Sequence, residues 1–102
     1  KDFSVVADIM SPSQVKVTKV TPKKKAMVVK FKKSSGAKKY EVQYSLKKNM
    51  KAAKVKTTKK TSIKIKKLKA KKTYYVRVRS YFENNGKKIY SPYSAKKKVT
   101  IK

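Results

Sequence analysis

Leu68-Lys69-Ala70-Lys71-Lys72-Thr73-Tyr74-Tyr75-Val76-Arg77-Val78-Arg79-Ser80 decides how the chain reads. An apolar strand end at Leu68 is followed six residues later by Tyr74, which opens a strictly alternating run. That spacing suits a tyrosine corner, in which the ring packs under a turn between two sheets and the hydroxyl bonds backbone a few residues upstream. The stretch therefore predicts an antiparallel β-sandwich with Val76 and Val78 facing in and Arg77 and Arg79 facing out.

Working outward, period-two alternation continues and helical periodicity is absent. Val15–Val20, Met27–Lys32, Tyr40–Tyr44 and Ile63–Leu68 read as strands, Lys54–Thr57 as a weak edge strand, Tyr74–Ser80 as the sixth and Lys98–Ile101 as the last. Seven short strands at roughly 10–14-residue spacing match an all-β sandwich. Phe31, Tyr40, Tyr44 and Tyr74 fall at inward positions. Lys16, Lys30, Lys64 and Lys66 fall at outward ones, where lysine discourages edge-to-edge pairing. Asn84-Asn85-Gly86 is a turn signal, because asparagine and glycine tolerate positive φ. Most other breaks carry lysine clusters instead.

The charge is the second strong feature. The 102 residues carry 32 basic side chains against Asp2, Asp8, Glu41 and Glu83, a formal net charge of +28. Only Arg77 and Arg79 are arginine, and both halves of the chain are strongly basic. Such a charge opposes compaction at low salt, and a core built from the 38% hydrophobic residues must overcome it. The length allows one domain. Residues 1–10 fit the alternation poorly and read either as a leader, linker remnant or end of a preceding domain, or as an extra strand or lid. Residues 11–102 are the domain proper. Residue 1 is lysine and no charged-then-apolar leader is visible, so the sequence reads as a piece of a longer precursor whose signal peptide is gone.

Several chemistries are not expected. Histidine and cysteine are absent, which removes the usual proton shuttle, the thiol nucleophile, disulfides and thiolate metal sites. The four acids form no evident pair for acid–base work or for holding calcium. No catalytic residue, no metal and no cofactor is expected, and the chain does not read as an enzyme.

With those residues in view, the chain resembles a fibronectin type III domain from about Ser11 to Ile101. The third-strand pattern is Tyr40-x-Val42-x-Tyr44, the closing leucine is Leu68, the corner is Tyr74 with Val76 and Val78, and the approach to the last strand is Ser91-Pro92-Tyr93-Ser94. Phe31 stands where that family usually has tryptophan, and Ala70 and Lys71 stand where proline and glycine often follow the leucine. The resemblance implies an immunoglobulin-like sandwich and a spacer or contact module. The lysine-rich style is similar to modules of secreted and wall-associated proteins of Gram-positive bacteria, which implies an extracellular, cell-surface or cell-wall location and an accessory role beside other domains. The integrin-binding Arg-Gly-Asp tripeptide of some animal relatives is absent.

Binding is then the function to look for. Lysine ammonium groups bind phosphate or sulfate without strict geometry, with an affinity that falls steeply with salt. The expected partners are anionic cell-wall polymers or surface glycans, beside the neighbouring domains of the parent protein. The alternatives are a specific adhesion or protein-binding module, and a basic protein associated with nucleic acid, which this charge would attract non-specifically. The candidate ligand face is Tyr75, Arg77, Arg79 and Tyr81 on the sixth strand, extended by Lys96 and Lys98. The same residues would equally form a cross-strand ladder that only covers the sheet. Lys87, Lys88, Tyr90 and Tyr93 are candidate contacts in the loop before the last strand, where exposed paired tyrosines would suit a carbohydrate.

Overall fold

The computed structural model describes residues 12–102; the expected leader at 1–10 lies outside the described residues. The described residues form strands and turns without helix. The strands are β1 (Val17–Lys23), β2 (Ala26–Phe31), β3 (Lys39–Ser45), β4 (Lys54–Thr58), β5 (Ser62–Ile65), β6 (Thr73–Asn84), β7 (Lys87–Tyr90) and β8 (Lys97–Thr100). One sheet runs β1-β2-β5; the other runs β4-β3-β6-β7, with β8 also paired to β6. Every pairing is antiparallel.

The sandwich follows from alternation. Met27, Val29, Phe31 and Ile65 of the first sheet meet Tyr40, Val42, Tyr44, Tyr74, Val76 and Val78 of the second in one core. Lys16, Lys30, Lys64 and Lys66 are exposed, as the period-two pattern requires. Phe31, in the slot where tryptophan is usual, is buried and lies 4.8 Å from Tyr40, centroid to centroid. Tyr74 closes the corner: its ring is buried and its hydroxyl accepts the Lys69 N–H at 2.9 Å. Tyr40 does the same at the opposite end of the second sheet, accepting the Ser34 N–H at 3.0 Å.

The last part of the chain differs from expectation. Residues 83–90 form the end of β6, a tight turn and β7, where a loop was expected. Asn84 pairs with Lys87 across a two-residue turn in which Asn85 (φ 53°) and Gly86 (φ 81°) are both left-handed. That is the primed geometry whose twist matches antiparallel strands, so the turn signal makes a hairpin. β3 occupies one edge of β6, so β7 and β8 lie end to end along the other, in the place of a single seventh strand. Ser91 and Ser94 bridge the interruption. Ser80 N–H donates to Ser91 Oγ and Val78 N–H to Ser94 Oγ, each at 2.9 Å. Serine hydroxyls thus replace backbone acceptors, and the ladder continues while Pro92 and Tyr93 are released from it.

Lysine holds several conformations that favour glycine. Lys25, Lys67 and Lys71 have φ of 51°, 61° and 61°. β5 ends at Ile65, earlier than the expected Leu68, and left-handed Lys67 turns the chain away from the strand path. Lys71 stands in the family's glycine slot, held there by its N–H bond to the Ile101 carbonyl at 2.8 Å.

Candidate functional site

The outer face of the second sheet is built by the odd-numbered residues of β3 and β6. Glu41 lies opposite Arg79, Gln43 opposite Arg77 and Ser45 opposite Tyr75. Cross-strand neighbours on one face are close enough to bond. Arg79 Nε sits 2.9 Å from Glu41 Oε1, and Arg77 Nε donates to Gln43 Oε1 at 2.9 Å. Gln43 Nε2 donates to the Tyr93 hydroxyl at 2.9 Å. The interruption between β7 and β8 brings Tyr93 over this face. The Arg77 guanidinium lies 3.8 Å from the Tyr93 ring centre, and that of Arg79 lies 3.5 Å from Tyr90. Guanidinium groups stack on aromatic faces and bond a carboxylate or amide in their own plane at once.

The upper part of the face is therefore an internally bonded ladder. Glu41, one of the four acids with no evident pair in the sequence, is 8% exposed and forms the one salt bridge among the described residues. Tyr81 is buried although it stands at an outward position, because Tyr90 packs against it at 5.5 Å and the Lys88 ammonium lies 5.2 Å above its ring. Lys87, Lys88 and Tyr90, expected in a loop, are on β7; Tyr93 is in the connection that follows. Lys87 and Lys88 are exposed, and the two tyrosines are half-buried with one ring face each against an arginine.

The lower part differs. Lys98 pairs with Tyr75 across β8 and β6. Lys96 reaches over to the β3–β4 loop, where its ammonium donates to the Lys48 carbonyl at 2.8 Å. Lys48, Tyr75, Lys96 and Lys98 together line an outward hollow of about 320 Å³. Of the two described acids, Glu41 is bonded to Arg79 and Glu83 stands at the far end of β6. The structure thus divides the expected stripe: Arg77, Arg79 and Tyr81 join the ladder, while Tyr75, Lys96 and Lys98 form a lysine hollow. Lys48 was missed, because its contribution comes from a loop 48 residues away from Lys96 and no local spacing signals it. Among the described residues no three carboxylates, histidines or cysteines come together to hold a metal ion.

Two antiparallel sheets closed by a tyrosine corner define an all-β sandwich domain. The family model for the fibronectin type III domain matches residues 10–96, and the chain belongs to that family. Solved structures agree on the fold. The sixth fibronectin type III domain of human fibronectin type III domain containing protein 3 superposes with a TM-score of 0.70 at 18% identity, over 91% of this chain and 88% of that one. A structure titled "Myokine structure" gives 0.63 at 17% identity, over 90% and 97%. The chicken CNTN1 FN1-FN3 domains give 0.67 at 18% identity, over 90% of this chain and 32% of that one. No curated protein matches the sequence. Domains of this family are non-catalytic in themselves, and they are typically extracellular modules of larger proteins.

Proposed function

We propose that the domain is an accessory module of a secreted or surface protein of a Gram-positive cell. In this reading it spaces neighbouring domains and contacts anionic envelope polymers, teichoic acids above all, through its lysines. The observation that carries the reading is the hollow at Tyr75, where Lys48, Lys96 and Lys98 converge away from both described acids. A polymer of phosphates would neutralise these ammonium groups and release its counterions. Lysine suits such a partner better than arginine, since a flexible polymer offers no fixed geometry for a bidentate fork. The Arg77 and Arg79 guanidinium groups are already bonded within the sheet, which speaks against their reading base edges in a nucleic-acid groove.

Binding of the domain to purified wall sacculi, with and without teichoic acids, over a salt titration and against DNA of matched charge tests this. Loss of binding on teichoic acid removal, with weak displacement by DNA near physiological salt, is expected. Equal competition by DNA would reduce the lysine coat to generic charge.

A further inference from the structure

A second concavity opens where the two sheets part, between the free edge of β4 and the β5–β6 connection. Its volume is about 380 Å³, within the usual range for small-molecule sites. It shares no lining residue with the Tyr75 hollow. Tyr44, Leu46, Leu68 and Tyr74 supply the apolar wall. Leu46 is 41% exposed, one of two large hydrophobic residues left open among the described residues.

The rim is cationic by construction. Lys54 and Lys56 of β4 pair with Tyr44 and Val42, both core residues, so the two lysines stand on the core-facing side of the edge strand. Inward charges on an edge strand deter pairing with another sheet. Here they also meet three lysines of the β5–β6 connection across the groove. Glu83 lies nine residues along β6 from Tyr74, about 30 Å away by strand rise. Tyr44 adds a polar handle. Its ring is part of the core while the residue also lines the groove, and its hydroxyl has no hydrogen-bond partner among the described residues. A tyrosine is a neutral donor at physiological pH in any case, and burial, with Tyr74 beside it, pushes the Tyr44 phenol further above its ordinary value. The wall is held in shape: Ser45 Oγ donates to the Lys51 carbonyl at 2.7 Å and accepts the Lys47 N–H at 3.0 Å, while Met50 is buried beneath the loop.

We infer that this groove binds one small amphiphilic anion, a single alkyl chain bearing a phosphate. The chain lies on Leu46, Leu68 and the tyrosine rings, and the acidic head sits among the lysines with the Tyr44 hydroxyl as donor. Generic attraction to a +28 chain would need only the charge, and a greasy surface only the chain. This groove selects a ligand carrying both.

The test is an amide chemical-shift titration of the folded domain with decyl phosphate below its micelle concentration, with decanol and inorganic phosphate as the two half-ligands. Saturable shifts centred on Leu46, Ala52 and Leu68 are expected, with each half-ligand binding at least about tenfold more weakly. Leu46→Glu is expected to weaken decyl phosphate roughly tenfold, and Tyr44→Phe about threefold or more. Val55→Glu makes the same charge change at the other exposed hydrophobic residue (47%), on the outer face opposite Gln43, and is expected to leave binding within about twofold. A half-ligand that binds as tightly as decyl phosphate, shifts spread over all surface lysines, or equal losses in the two glutamate variants would each overturn the inference.

Discussion

The two halves of one sheet face carry the same kind of charge and put it to different uses. Around Arg77 and Arg79, each guanidinium has an in-plane partner and an aromatic ring over its face. Around Tyr75, three lysines line one hollow, and among the described residues the one bond their ammonium groups make is from Lys96 to the Lys48 carbonyl. Arginine is used where the geometry is fixed and lysine where it is open. Positive charge on this domain is thus of two sorts, charge that holds the sheet together and charge available to a partner. Counting basic residues cannot separate them.

The largest break in that comparison is expected from Glu41→Gln. It leaves Arg79 partly buried beside a neutral amide, and urea unfolding should show a loss of about 1–3 kcal/mol. The triple change Lys48→Gln, Lys96→Gln and Lys98→Gln should leave stability unchanged or raised, since it relieves repulsion and removes no ion pair among the described residues. If both variants lose similar stability, the division between structural and available charge fails.

Tyr74→Phe tests the corner on the inner face of the same strand. The Lys69 N–H loses its acceptor, and a cost of about 1–2 kcal/mol is expected in the same unfolding assay. Lys71→Gly sharpens the account in the opposite direction. Lysine at φ 61° carries left-handed strain that glycine does not, so the variant should gain about 1 kcal/mol, net of the freedom glycine adds to the unfolded chain. Lys71→Gln keeps the strain and removes the charge, and it should gain less. Salt should act in the same direction as the loss of a lysine charge. Raising sodium chloride from low to physiological concentration should lift the melting temperature of the wild type by a few degrees, roughly 1 kcal/mol. The lift should be smaller in the triple lysine variant.

Much of the architecture was legible in the sequence, because burial on a strand follows a period of two and Tyr74 marks where a sheet turns. The inward set of Phe31, Tyr40, Tyr44, Val76 and Val78 was readable for that reason. β7 was not, although Asn84-Asn85-Gly86 carried the hairpin signal: Lys87 and Lys88 made the following residues look like loop. The left-handed lysines were hidden because no side-chain signal marks them, and the Lys25 and Lys71 N–H groups bond to the Lys102 and Ile101 carbonyls, far along the chain. The face was legible as an alternating stripe, but its division was not. Pairing Arg79 with Glu41 needs the β3–β6 register, and seating Lys48 beside Lys96 needs the folded β3–β4 loop.

The most direct test of available charge is an amide chemical-shift titration with purified poly(glycerol phosphate) at physiological salt. The account predicts shifts concentrated at Lys48, Tyr75, Lys96 and Lys98, small shifts at Arg77 and Arg79, and loss of binding in the triple lysine-to-glutamine variant. Shifts spread evenly over the lysines, with the triple variant binding no worse than one lacking three lysines elsewhere, would contradict it.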